Sequence, residues 1–221
     1  MKPSGDIERR LADHIRENVP TGAGGQTPFY LLVRHPNKAV VVEQEKAGEA
    51  RIECGLPDGA LCVQWNLPTG LFQFLKMEKN ADGALLLWRD DGSSDGLFEA
   101  HVMECKKTVD QSKWNQILQQ LRWTFMRLRA ISGVLGVPLR RVTFYTAYRE
   151  DKLSSDSSRN PLLPRNAITS RFAKQDEEID RPRQLQMDWQ NDDVRLGDFD
   201  GRFAHTKIEL DGLGNGATDL A

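Results

Sequence analysis

Asp82, Glu104 and Lys106 are the residues of this chain whose types and spacing suit joint chemistry. Two carboxylates a few ångströms apart hold a hard divalent cation such as Mg²⁺ or Mn²⁺, which fills the rest of its shell with water and substrate phosphate. The backbone carbonyl of Cys105, between Glu104 and Lys106, offers a third oxygen. A cation held there polarises a phosphodiester and lowers the pKa of a bound water. An ammonium beside it steers that water or offsets the charge that builds on the phosphate oxygens. The chemistry expected of the trio is phosphodiester hydrolysis.

Whether the three meet depends on a hairpin. Ala84 to Trp88 is a short apolar run and Phe98 to Lys106 mixes apolar and polar residues; the stretch between, Arg89-Asp-Asp-Gly-Ser-Ser-Asp-Gly96, is dense in turn formers. With the turn centred near Ser93, paired residue numbers sum to about 186, which sets Asp82 opposite Glu104 with β-carbons roughly 4.5–5.5 Å apart. Lys106 then shares the face of Glu104, whereas His101 takes the opposite one. A slip of one residue separates the trio. Charge at the end of a hairpin with Ala84, Leu86, Phe98, Ala100 and Val102 beneath is costly unless something uses it. The plainer alternative is that these are solvated strand-end charges.

The elements around the hairpin follow from pattern. Ile7, Leu11 and Ile15 recur at helical spacing in residues 6–18, and Pro20 with the Thr21–Gly25 segment ends that helix and forms a linker. Pro28–Arg34 and Ala39–Glu43, around His35-Pro-Asn-Lys38, read as a second hairpin, and Ala60–Leu67 as a further strand. Leu71–Met77 fits either strand or helix. After Lys107 comes the longest helix signal, capped by Thr108 or Asp110, with Trp114, Leu118, Leu121, Phe125 and Leu128 forming an apolar stripe that should pack on the sheet. Arg141–Tyr148 follows as a β-branched and aromatic strand, expected to lie parallel to the Glu104 strand after a crossover.

Asp82, an apolar strand, a turn, a second strand ending in Glu104-Cys-Lys106, a long helix and another strand together resemble the PD-(D/E)xK nuclease superfamily, over residues 70–148. Position 81 is Ala where the name of the family has Pro. The resemblance implies an α/β fold with a central mixed β-sheet flanked by helices, a restriction-endonuclease-like core. It also implies metal-dependent cleavage of nucleic acid, DNA ahead of RNA, with Asp82, Glu104 and the Cys105 carbonyl as metal ligands and Lys106 positioning the attacking water. Some members add an acidic residue from the first helix, here Glu8 or Glu17, and many carry a Gln in the following helix, here Gln116, Gln119 or Gln120.

Charge distribution points to the same partner. From Gln111 to Arg149 there is no Asp or Glu, whereas Lys113, Arg122, Arg127, Arg129, Arg140, Arg141 and Arg149 lie there. Phosphate neutralisation drives non-specific nucleic-acid affinity, so Lys107, Lys113, Arg122 and Arg127 are expected contacts, and Gln116 and Gln119, which the resemblance implies, complete the expected set. Trp123 is expected in the core or an interface rather than against a base. His14, His35, His101 and His205 are scattered without metal spacing, and Cys54, Cys62 and Cys105 lack C-x-x-C spacing, which argues against zinc or a disulfide framework. One of Glu43, Glu45 and Glu49 is a candidate to approach the site, although a solvated hairpin end accounts for all three. The N-terminus lacks the apolar core of a secretion signal and no run is long enough to span a membrane, so a cytoplasmic protein is expected.

Two regions are expected: residues 1–149 as the nuclease-like core and 150–221 as an acidic, loop-rich extension in which only Gly201–Leu210 reads as a strand and the tail from Asp211 is frayed. The extension is expected to pack on the sheet edge or on a partner, or to shield the basic surface. Cutting both strands of a duplex would favour a homodimer. The competing function is a non-catalytic subunit that binds nucleic acid or protein on the same scaffold.

Overall fold

The computed structural model describes Arg9 and residues 30–32, 37–45, 48–65, 80–89, 97–135, 138–154, 184–197, 199 and 201–220. Ten strands and one long helix organise these residues: β1 (Tyr30–Leu32), β2 (Lys38–Glu45), β3 (Gly48–Gly55), β4 (Leu61–Trp65), β5 (Gly83–Arg89), β6 (Leu97–Val109), α1 (Gln111–Leu135), β7 (Leu139–Asp151), β8 (Asp193–Val194), β9 (Phe203–Glu209) and β10 (Asn215–Asp219). A short helix spans 184–190. The fold is α/β with mixed sheets. A seven-stranded sheet runs in the order β1-β4-β5-β6-β7-β9-β8, and a three-stranded sheet in the order β10-β3-β2.

The large sheet is buried on both faces, which explains the continuous apolar run in β5. Ala84, Leu86 and Trp88 join the core beneath α1, while Leu85 and Leu87 join the core against the small sheet. Trp114, Ile117, Leu121, Phe125 and Leu128 of α1 fill the first core as the helical stripe requires. Asp110 caps the helix: its carboxylate accepts from the Lys113 N–H at 2.8 Å, as an N-cap side chain does. The short helix 184–190 packs on the same face through Leu185 and Trp189. Among the described residues, the second face is therefore covered by the small sheet. Alternation in β3 makes this possible, since Ala50, Ile52 and Cys54 are buried and the residues between them are exposed.

Pairing around the hairpin is as its turn predicts. β5 and β6 are antiparallel, and paired numbers sum to 186 from Gly83–Met103 to Arg89–Leu97. β4 is antiparallel to β5, and β6 is parallel to β7 across α1.

Three expectations change. The segment around His35 does not join two paired strands: β1 pairs with β4 in the large sheet, whereas β2 pairs with β3 in the small one. The tail beyond Asp211 is ordered, because β10 pairs with β3 in parallel and Leu220 is buried. The boundary expected at 149/150 falls inside β7, and both sheets draw strands from either side of it, with β9 parallel to β7. The acidic tail is thus woven into the sheets. The expected helix 6–18 lies outside the described residues except for Arg9, which is helical, and so do the 21–25 linker, Leu71–Met77 and most of 152–183.

Candidate active site

Asp82 stands one residue before β5, at the level of Glu104. Two hydrogen bonds knit it to β6: the Cys105 N–H donates to Asp82 Oδ2 at 2.7 Å, and the Asp82 N–H donates to the Glu104 carboxylate. Lys106, two residues along and on the same face, donates through Nζ to Glu104 Oε1 and to the Cys105 carbonyl at 2.9 Å. The structure thus brings together the whole expected trio and the expected backbone carbonyl.

Elements on both sides hold the trio in place. From α1, Gln120 Nε2 donates to the Asn80 carbonyl at 3.1 Å, Thr124 Oγ1 accepts from the Ala81 N–H at 2.7 Å, and Arg127 donates to Asn80 Oδ1. This grip fixes the two residues that precede Asp82. From the small sheet, Val41 packs so closely on Gly83 that a β-carbon there would lie 2.5 Å from Val41 Cγ1. Glu43 follows Val41 on the same face of β2 by alternation, is half-buried, and its charge raises the Cys105 thiol. Glu49 is exposed, accepts from Gln44 and lines the cavity behind Cys105 and Lys106.

Burial decides the electrostatics. Glu104 is fully buried, and its Oε2 has no hydrogen-bond partner. Burial, with the neighbouring Asp82 charge, pushes the Glu104 carboxyl up to about 8, against the pull of Lys106. The Cys105 thiol is pushed still further up by burial, with Asp82 and Glu104 adding to it, so this sulfur is no nucleophile and the residue can contribute only its backbone. Among the described residues no group of three or more His, Cys, Asp or Glu side chains is arranged to hold a metal. Asp82, the unpartnered Glu104 oxygen and the Cys105 carbonyl are nevertheless hard oxygen donors, a set suited to Mg²⁺ or Mn²⁺ with water completing the shell. Behind them a cavity of about 20 Å³, lined partly by Cys105, Lys106 and Arg149, has room for about one water.

The expected nucleic-acid contacts divide. Lys107, Lys113, Gln116 and Gln119 are exposed, and Arg122 is half-buried with its guanidinium 5.5 Å from the centre of the Trp123 ring. Arg127 is a correction: at 1% exposure it is a structural residue bound to Asn80 and cannot reach a phosphate backbone. His101 lies on the face opposite Glu104 and meets the Tyr145 hydroxyl at 2.8 Å. The α1 grip was missed apart from Gln120 as a candidate; Thr124 and Asn80 have no sequence signature of their own. No described helix is long and apolar enough to cross a membrane. Compared with known proteins, the chain matches no family model, no curated protein and no solved structure.

Proposed function

We propose that the chain is a Mg²⁺- or Mn²⁺-dependent nuclease of the PD-(D/E)xK type, cleaving phosphodiester bonds of DNA or RNA. The observation that carries this reading is the joint placement of Asp82, Glu104 and Lys106, with Asp82 bonded to the Cys105 N–H between the other two. The run β4-β5-β6-α1-β7, antiparallel, antiparallel, then parallel across the helix, supports a restriction-endonuclease-like core. When bound, the divalent ion would supply Lewis acidity toward the phosphate and a more acidic water. Asp82 and Glu104 would hold the ion, and Glu104, which carries a proton near neutral pH, would have to give that proton up to do so. Lys106 is partly exposed, so its ammonium can turn from Glu104 toward solvent and orient the attacking water.

Incubation with single- and double-stranded DNA and RNA, in Mg²⁺, Mn²⁺ or EDTA, tests the reading. Metal-dependent cleavage that disappears in Glu104→Ala and in Lys106→Ala is expected; cleavage that survives either change rules the assignment out.

The second reading, a non-catalytic binding subunit, is favoured by the full burial of Glu104 beneath its ion pair with Lys106, an arrangement that also suits a purely structural role. Calorimetry separates the two: Mn²⁺ binding that is lost in Asp82→Asn supports the nuclease, and nucleic-acid affinity without metal binding supports the subunit.

A further inference from the structure

A second concave site lies at the other end of the large sheet. Phe125 and Arg129 from α1, Arg140 from the start of β7, and Arg202 with Phe203 from the start of β9 line a cleft of about 500 Å³. Arg141 also lines it, and its charge acts on Tyr145 as well. Along β6 and β7, the pairs Glu99–Arg141 and Glu104–Thr146 stand five residues apart, which at about 3.3 Å per residue separates the cleft from the trio by roughly 17 Å. The cleft is therefore a different place from the catalytic end of the hairpin.

Arg129, Arg140 and Arg202 converge there, with the Asp193 carboxylate beside Arg202. Arg202 pairs with Asp193 at 2.9 Å, whereas Arg129 and Arg140 are exposed and make no ion pair with any described residue. Arg129 lies 5.8 Å from the ring centres of both Phe125 and Phe199, a stacked position that fixes the guanidinium and leaves its N–H edge free to donate. The rings form one edge-to-face cluster, Phe125 with Phe199 at 5.0 Å and with Phe203 at 5.2 Å. Like charges held on a rigid aromatic base repel unless an anion joins them, and the guanidinium fork matches the oxygens of phosphate. A volume of this size suits a small ligand rather than an ion alone.

We propose that this cleft binds a nucleoside phosphate, its phosphate held by Arg129, Arg140 and Arg202 and its base set against Phe203 and the apolar wall formed by Leu139 and Val142. A free nucleotide and the terminal nucleotide of a strand share this chemistry.

Titration of the full chain in EDTA, where metal-dependent cleavage cannot occur, tests the cleft independently of the nuclease reading. The probes are AMP, ATP, inorganic phosphate, and a short oligothymidylate with either a 5′-phosphate or a 5′-hydroxyl. Saturable binding of a phosphorylated nucleoside probe, weakened about tenfold or more in Arg140→Glu, is expected. Arg140→Lys, which keeps the charge and loses the fork, should fall between. Binding of AMP or ATP identifies a free nucleotide as the source, and binding confined to the 5′-phosphorylated strand identifies a strand end. Absence of saturable binding by every nucleoside probe, or equal binding by wild type and Arg140→Glu, overturns the proposal. Binding of inorganic phosphate as tight as that of ATP also overturns it, since the base would then contribute nothing.

Discussion

Replacing Glu104 by Gln is expected to stabilise the metal-free protein increasingly as pH rises while abolishing cleavage. Glu104 is fully buried, and burial with the Asp82 charge carries its carboxyl from 4.5 to about 8. A carboxyl whose pKa is higher in the folded than in the unfolded chain binds its proton more tightly when native. Its contribution to stability is therefore complete below pH 4.5 and is lost as pH rises through 8. At about 1.36 kcal/mol per pH unit the whole span amounts to roughly 5 kcal/mol. Because Lys106 sits against this carboxylate and can adjust with it, about half of that, roughly 2–3 kcal/mol, is the sounder expectation. Gln has the shape of the protonated acid and does not titrate, so it removes the term. For a chain of this size the gain corresponds to roughly 5–10 °C in Tm. The assay is thermal unfolding of wild type and Glu104→Gln in EDTA at about pH 5, 7 and 8.5. A gain near zero at the lowest pH and largest at the highest is expected. A gain independent of pH, or a loss that deepens toward alkaline pH, refutes the reasoning.

Three further substitutions probe the frame around the site. Gly83→Ala places a β-carbon 2.5 Å from Val41 Cγ1 and should cost about 1–3 kcal/mol in urea denaturation; Val41→Ala should recover most of that loss in a double-mutant cycle. Arg127→Met should lower stability by about 2 kcal/mol, because Asn80 loses its charged donor, while nucleic-acid affinity of the folded protein measured by anisotropy stays unchanged. Burial holds His205 down at about 3, so its contribution to stability is present above 6.5 and is lost as pH falls toward 3. His205 faces Asp192, which opposes that shift, and Lys207, which adds to it. By about pH 5 the loss should reach roughly 2 kcal/mol, and His205→Gln should flatten the fall in Tm between pH 7 and 5.

The hairpin was legible because its information is local. A dense turn between two apolar runs sets register, and register alone fixes that residue 82 meets residue 104. The long helix was legible for a similar reason, since Asp110 and the 3–4 spacing of its apolar residues are written in one stretch of chain. The small sheet was not read as a layer, although Ala50, Ile52 and Cys54 alternate with charged residues in plain period two. That signal was overlooked; β10 gave almost none, because Asn215-Gly-Ala-Thr-Asp219 is neither apolar nor β-branched enough to announce a strand. It forms because β3 and the side chains of Ile208 and Leu210 are there to receive it, with Gly216 leaving no β-carbon to collide with them. Such tertiary reasons leave no periodic trace. The fate of Arg127 has the same origin. A basic residue in an acid-free stretch reads as a phosphate contact, and only the arrival of Asn80 across the helix turns it inward.

That inward turn bears on how the site works. Gln120, Thr124 and Arg127 pull residues 80 and 81 onto α1, and by doing so bring Asp82 down beside Glu104. A carboxylate in water would titrate near its ordinary value and hold a cation only loosely. Enclosed beneath the hairpin, Glu104 keeps a proton instead and shares an ammonium with the Cys105 carbonyl. Both the proton and the ammonium offset the charge of a carboxylate buried away from water. The alternation that sets Lys106 on the face of Glu104 thus lets one side chain bridge the Glu104 carboxylate and the Cys105 carbonyl while staying partly exposed. The helix contributes to this as much as the hairpin does, because loosening its hold on Asn80 and Ala81 would let water reach Glu104 before any strand of the sheet came apart.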